Sequence, residues 1–249
     1  GPSENAFFID GIEIPNINHF ATQGASGGPV SILNSDLIRE ISFYTGSFPS
    51  NRGGALSSVM DITLKDGNPD KHSFKATVGA SEVGASASGH IGDRTTYVAS
   101  VRQSYLQLLF RLLGLPMLPN YIDGQFKIKT RLDERNELMF IGLAGFDNLK
   151  LNQEPDDAGD EYLLSYLPKL KQETFTVGIS YKHFGDRHIQ TWSASYNYLN
   201  NRTIKYLNND ESSPEGLIQN SSGLEGKAQS RFENRSYYGS WTVKEGAEV

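Results

Sequence analysis

The 249-residue chain holds few side chains whose chemistry could act alone or in pairs. Its five histidines are His19, His72, His90, His183 and His188. None pair at the helical spacing of metal ligands, and no His-Glu-x-x-His occurs. His183 and His188 flank a tight turn, where solvent is the expected partner. Cysteine is absent, which removes thiolate–zinc sites, a thiol nucleophile and any disulfide framework. There is no Gly-x-Ser-x-Gly elbow and no Walker loop. Gly24–Gly28 is glycine-rich but lacks the lysine and the apolar helix of a phosphate loop. Glu154, Asp156, Asp157, Asp160 and Glu161 form an acidic stretch without calcium-loop spacing. Asp156 and Asp157 also lack an apolar wall that would raise a carboxyl pKa. No catalytic, cofactor or metal residue is therefore assigned, and the chain reads as a non-enzyme.

Composition narrows the class. Lys plus Arg number 23 against 29 Asp plus Glu, a net charge of −6. With no basic run, nucleic acid is not an expected partner. No stretch of about 18 apolar residues exists, so no spanning helix is expected, and no signal peptide is read at the N-terminus. A transmembrane β-barrel passes these tests, because its strands alternate and need no apolar run. Gly (25 residues) and aromatics (11%) suit an all-β protein with many turns.

The elements that must position any site change character near Asp66–His72. Before it lie short strands and large loops: Phe7–Ile9 into the Asp10-Gly11 turn, Ile12–Ile14, a helical turn over Ser35–Glu40, a strand over Glu40–Tyr44, a tight loop at Ser50–Gly54 and a strand over Leu56–Leu64. After it come about eight alternating segments of roughly nine to thirteen residues, longer than the usual five to six and matched to a tilted bilayer crossing. Phe126, Ile128, Thr130 and Leu132 oppose Gln125, Lys127, Lys129 and Arg131. Phe175, Val177, Ile179 and Tyr181 oppose Thr174, Thr176, Ser180 and Lys182. Trp192, Ala194, Tyr196 and Tyr198 oppose Thr191, Ser193, Ser195 and Asn197. Tyr237–Val243 reads as the last strand. Short connections (Gly92–Arg94, Asp133–Asn136, Gly185–Arg187) alternate with long ones (Tyr105–Asn120, Asn148–Gln172, Asn200–Ser230), with the first hairpin, near Ser81-Glu82, as the exception. Strands running up and down through a membrane produce that alternation. The first long connection reads as a short helix ended by Gly114 and Pro116. The third reads as an Asn- and Ser-rich mobile loop.

Three stretches carry a family resemblance: Gly1-Pro2-Ser3-Glu4-Asn5 with Phe8-Ile9-Asp10-Gly11-Ile12-Glu13-Ile14-Pro15-Asn16, Ile38–Pro49, and Asn51-Arg52-Gly53-Gly54-Ala55-Leu56-Ser57-Ser58-Val59-Met60-Asp61-Ile62-Thr63-Leu64-Lys65-Asp66-Gly67. Together they resemble the plug domain of TonB-dependent outer-membrane receptors, in a form similar to Bacteroidetes variants. The resemblance implies a mainly β protein: residues 1–70 as the C-terminal part of a plug, and residues 71–249 as the first, about eight, antiparallel strands of an incomplete transmembrane β-barrel. Family barrels have about twenty-two strands, so a fragment is expected, open to self-association through its strand edges. The implied function is surface binding of a scarce nutrient and its import by plug rearrangement, in the outer membrane of a Gram-negative bacterium. The implied partners are a small-molecule or oligosaccharide ligand, outer-membrane lipid, and a TonB-type energy-coupling protein acting through a segment this sequence does not contain. Plug loops 18–30 and 48–54 and the long connections point to the ligand side, with Asn51 and Arg52 as the candidate residues. The alternative is a soluble all-β binding module for carbohydrate or protein, with Trp192, Tyr196, Tyr198 and Trp241 as a stacking surface. The two part on detergent dependence. Size-exclusion chromatography is expected to show aggregation in plain buffer and a single species in micelles; a monodisperse monomer in plain buffer contradicts the membrane reading.

Overall fold

The structure is a computed structural model that describes residues 4–21, 27–52, 55–152 and 158–249. The first strands are β1 (Asn5–Ile9), β2 (Ile12–Ile14), β3 (Asn18–His19), β4 (Val30–Ser31), β5 (Ile38–Tyr44) and β6 (Ser58–Leu64). They form a four-stranded sheet, order β2-β1-β6-β5, and a separate β3–β4 hairpin. Asp10-Gly11 makes the first turn because both residues have positive φ (48° and 86°), which suits the tight turn joining Ile9 to Ile12. Strand β1 then lies parallel to β6, with Phe8 beside Asp61. Before β5, the Asn34 side chain caps a 3-10 turn over Ser35–Leu37 by accepting from the Asp36 N–H.

The rest is one antiparallel meander in which each strand pairs with its sequence neighbours. Its strands are β7 (Ser73–Val78), β8 (Glu82–Ile91), β9 (Thr95–Ser104), β10 (Met117–Arg131), β11 (Asn136–Leu151), β12 (Lys169–Phe184), β13 (His188–Tyr206), β14 (Leu217–Tyr238) and β15 (Trp241–Glu248). Helix α1 (Leu106–Leu112) fills the first long connection, as its sequence predicts, and α2 (Ala158–Tyr166) lies in the second. No helix among the described residues is long and apolar enough to cross a membrane, which says nothing of a β-barrel.

This wall inverts the usual order of a soluble sheet. On β10, Tyr121, Asp123, Gln125 and Lys127 are buried against the N-terminal segment, the first two against the β3–β4 hairpin, while Ile122 and Phe126 face out. On β12, Gln172, Thr174, Thr176 and Ser180 are buried, while Val177 is 47% exposed. Phe140, Phe146, Val101, Trp192 and Tyr196 continue the outward apolar face. The inner contact is not purely polar: Val98, Ile141 and Leu143 of the wall join the core of Ile9, Ile12, Ile14, Ile32 and Ile62.

The wall has nine strands, in keeping with the expected run of about eight. Three sequence expectations are corrected. The expected last strand, Tyr237–Val243, is broken: Tyr238 pairs with Trp241 across a two-residue turn in which Gly239 has φ +61°. The expected mobile loop Asn200–Ser230 is largely strand, since β13 runs on to Tyr206 and β14 starts at Leu217. The backbone ladder continues there although both faces are polar, so hydrophobic alternation fades while pairing does not. The other long connections shrink likewise, because β10 begins at Met117, β11 ends at Leu151 and β12 begins at Lys169. The expected acidic residues Glu154, Asp156 and Asp157, most of the Gly24–Gly28 stretch, Gly53 and Gly54 lie outside the described residues.

One close approach sets how the two sheets meet. A Cβ at Gly178 of β12 would fall 2.4 Å from Cδ1 of Ile12. A glycine there lets β2 seat against the wall. Gly178→Val is expected to weaken seating of the N-terminal sheet by about 1–3 kcal/mol, read as a lower urea midpoint for its unfolding. Gly124→Val, where a Cβ meets only ordinary contact, serves as the control.

Candidate functional site

The interface between the N-terminal sheet and the wall gathers nearly all the buried charge, in three zones.

The first is built around Lys127, whose side chain is 5% exposed. Its position on β10 points Nζ inward, where it meets Asp10 Oδ1 at 3.1 Å, Asp66 Oδ1 at 2.9 Å and the Leu64 carbonyl at 3.2 Å. One wall cation thus holds both the β1–β2 turn and the exit from β6. Burial pushes the Asp66 carboxyl up, but Lys127 and Lys129 outweigh it and hold it below its ordinary value. That part of the anchoring is present above about pH 4 and fades as pH falls through the lowered value. For Asp10, burial wins over Lys127 and raises the carboxyl pKa, an opposing contribution.

The second zone holds Arg52. Its Nε donates to Asp61 Oδ2 at 2.8 Å and its Nη2 lies 2.7 Å from the same oxygen, while Nη1 reaches Glu233 of β14 at 3.3 Å. Asn51 Nδ2 donates to Glu233 as well. Arg231 pairs with Glu233 and Glu248. The ring of fully buried Phe8 has both guanidinium groups near it, its centroid 4.6 Å from Arg52 and 5.1 Å from Arg231. The N-terminal sheet and the wall each supply one cation to one aromatic ring. Glu233 lies in register with Thr191, close to the short Gly185–Arg187 turn. Asn51 and Arg52 therefore come together, in the half of the wall that ends in short turns.

The third zone lies toward the long connections. His19 of β3 is fully buried, and its ring stacks on Tyr121 with centroids 4.1 Å apart. Its Nδ1 lies 2.5 Å from Asp147 Oδ1 and its Nε2 3.0 Å from Asp123 Oδ2. Arg102 closes the group with two bonds to Asp123, one to Glu82 and one to the Ser31 carbonyl. Burial lowers the imidazole pKa, but the two carboxylates outweigh it and raise it above its ordinary value.

Sequence reading found Asn51 and Arg52 but passed over His19, Lys127, Arg102, Asp123, Asp147, Arg231 and Glu233. A usable signal was present: in strands whose other face is apolar, a charged residue on the inward face must meet a counter-charge. Among the described residues no group of three or more His, Asp or Glu could hold a metal ion. Of the other four histidines, His72 and His90 stack at 4.8 Å beside Tyr97. His183, with Nδ1 2.8 Å from Asn136 Oδ1 rather than facing solvent alone, has its ring centroid 5.7 Å from that of His188. The three zones dock the N-terminal segment against the wall.

No protein-family profile matches this sequence, and no curated protein matches it. Solved structures do match. A variant of the ferric enterobactin receptor PfeA from Pseudomonas aeruginosa aligns over 100% of this chain and 41% of its own, with TM-score 0.68 and 13% identity. The ferric-catecholate import receptor Fiu from E. coli K12 aligns over 98% of this chain and 42% of its own, with TM-score 0.61 and 14% identity. The copper transporter OprC aligns over 99% and 37%, with TM-score 0.64 and 11% identity. The fold is thus mainly β, a partial plug sheet packed inside part of an antiparallel barrel wall, as in TonB-dependent receptors. The chain spans about two fifths of the length of those receptors.

Arg52→Ala leaves Asp61 and Glu233 without their shared cation. It is expected to weaken plug seating by on the order of 3 kcal/mol, read as the urea midpoint of plug unfolding. Arg52→Lys is expected to recover only part, because the fork onto Asp61 is lost. Ligand affinity of the same Arg52→Ala variant in the full-length protein checks the ligand-side expectation: an unchanged value contradicts it.

Proposed function

We propose that this chain is the plug–wall portion of an outer-membrane import receptor of a Gram-negative bacterium, with residues 1–70 as plug and 71–249 as barrel. The observation that carries the reading is the inverted wall: charged and polar residues face a plug that neutralises them, and apolar residues face outward without a partner. Lipid is the solvent that such an outer face fits. A small molecule or oligosaccharide is the expected ligand, met on the side of the long connections. Import then requires the plug to leave or rearrange against the wall, and the three charged zones are what it must break. A TonB-type coupling protein is the expected source of that work, and the Leu-Ser-Ser-Val-Met-Asp stretch at 56–61 favours a Bacteroidetes-like receptor. Asn51 and Arg52 enter this proposal as a plug latch on Glu233 in the short-turn half, and ligand contact at them belongs to passage past the plug rather than to the first encounter on the long-connection side. The soluble-module alternative leaves an outward face with Trp241 at 75% and Phe146 at 52% exposure facing water.

A tether tests the proposal. In the full-length receptor, cysteines at 12 and 178 are placed where the plug touches β12. Oxidised cells are expected to bind the nutrient and fail to import it, and a reductant is expected to restore import. Import that proceeds at the normal rate through the tethered protein overturns plug rearrangement.

A further inference from the structure

We infer that His19 is a proton-linked positioning residue, which fastens the β3–β4 hairpin to the wall only while its cluster keeps one proton, so that docking of this hairpin weakens as pH rises. The inference deepens the receptor reading and rests on it for its biological role, while its chemistry stands on the cluster itself.

Both ring nitrogens of His19 face carboxylate oxygens, Nδ1 toward Asp147 of β11 and Nε2 toward Asp123 of β10. A neutral imidazole carries one N–H and one lone pair. In the neutral state one lone pair would therefore point at a carboxylate oxygen in a site from which water is excluded. The bridge needs a proton on each contact, supplied as an imidazolium between two carboxylates or as a neutral ring beside one protonated carboxyl. Either way the cluster holds one proton beyond a neutral ring and two carboxylates.

The surroundings sharpen this need. The groups packed about the ring are Asp123 and Tyr121 from β10, Asp147 from β11, and Arg102 from β9. Glu82 of β8 joins through Arg102 and through the Tyr121 hydroxyl, which donates to it. From β12, the Gln172 amide donates to the Asn18 carbonyl. Three acids thus face one fixed cation, Arg102, and the His19 proton moves the local sum from −2 to −1. Losing it leaves the buried Asp147 carboxylate without a cation and Asp123 with Arg102 alone, which Glu82 also engages, an arrangement that favours separation of plug and wall. The raised imidazole pKa agrees in sign. A group whose docked pKa lies above the free value of about 6.5 stabilises docking fully below that pH and loses the contribution as pH rises through the docked value.

The same carboxylate also holds the backbone. Asp147 Oδ2 accepts the N–H of Phe20 at 2.6 Å. Phe20 has φ +52°, a left-handed conformation uncommon for a bulky residue. Breaking the bridge therefore releases a strained residue at the start of the connection from β3 to β4.

Hydrogen exchange with mass spectrometry on the full-length receptor in micelles, from pH 5.5 to 9 and corrected for intrinsic exchange, tests this. Protection of the peptide spanning 16–34 is expected to fall by up to about tenfold per pH unit above the docked pKa, while the β6 peptide stays flat. His19→Gln is expected to give low, pH-independent protection of 16–34. Asp123→Asn is expected to move the wild-type midpoint down by about one pH unit, a shift that a purely structural contact would not produce. Wild-type protection that is flat across this range overturns the inference, as does an unmoved midpoint in Asp123→Asn. An import assay on the same protein separates the two claims. A pH-linked hairpin in a receptor that does not import supports this inference and overturns the receptor reading; a flat profile in an importing receptor does the reverse.

Discussion

Buried charge in this molecule is tolerable only because two bodies share it. Lys127, 5% exposed, sits on a strand whose neighbours on the same face are Gln125 and Asp123. Moving such an ion out of water costs several kcal/mol unless a partner stands ready. The wall has few inward acids of its own at that level, so the counter-charges come from Asp10 and Asp66 of the plug. The same holds in the opposite sense for Arg52, which the plug supplies to Glu233. Where the plug sits is therefore decided by matching charge across the interface as much as by shape.

Adhesion and register come from different groups. The apolar core that Ile9, Ile12 and Ile62 share with Val98, Ile141 and Leu143 gives non-directional attraction. Sliding a plug strand along the wall would unseat Ile12 from Gly178 while keeping most of that non-directional contact. It would, however, strand Lys127, Arg52 and His19 without partners, and one buried ion left unpaired costs more than an intact pair contributes. Such an interface is firm in one position and poor in every other. In the proposed import role, a plug that docks reproducibly and is then displaced needs those two properties together.

Legibility of the sequence followed the solvent on each face. Strands β10, β12 and β13 were readable because one face is apolar and the other polar, which writes a period of two into the residues. The upper parts of β13 and β14 were not, because Asn, Ser and Lys occupy both faces while the ladder continues from His188 through Tyr206. Strands β3 and β4 were missed because two-residue strands have no period to read. Arg52 was visible through the stretch around it. His19 reads in the sequence only as a metal-ligand candidate, because its two partners lie more than a hundred residues away in the chain, at Asp123 and Asp147.

Alone, the sequence determined what is local: a strand-rich chain in two parts, the outward face of the second part, the Asp10-Gly11 turn, and the absence of catalytic motifs. Folding decided which inward charges meet. Ion pairs such as Lys127 with Asp10, or Arg52 with Glu233, depend on strand register and on how β2 seats over Gly178. Those are sums over many weak contacts across the whole sheet, and no short window of residues encodes them.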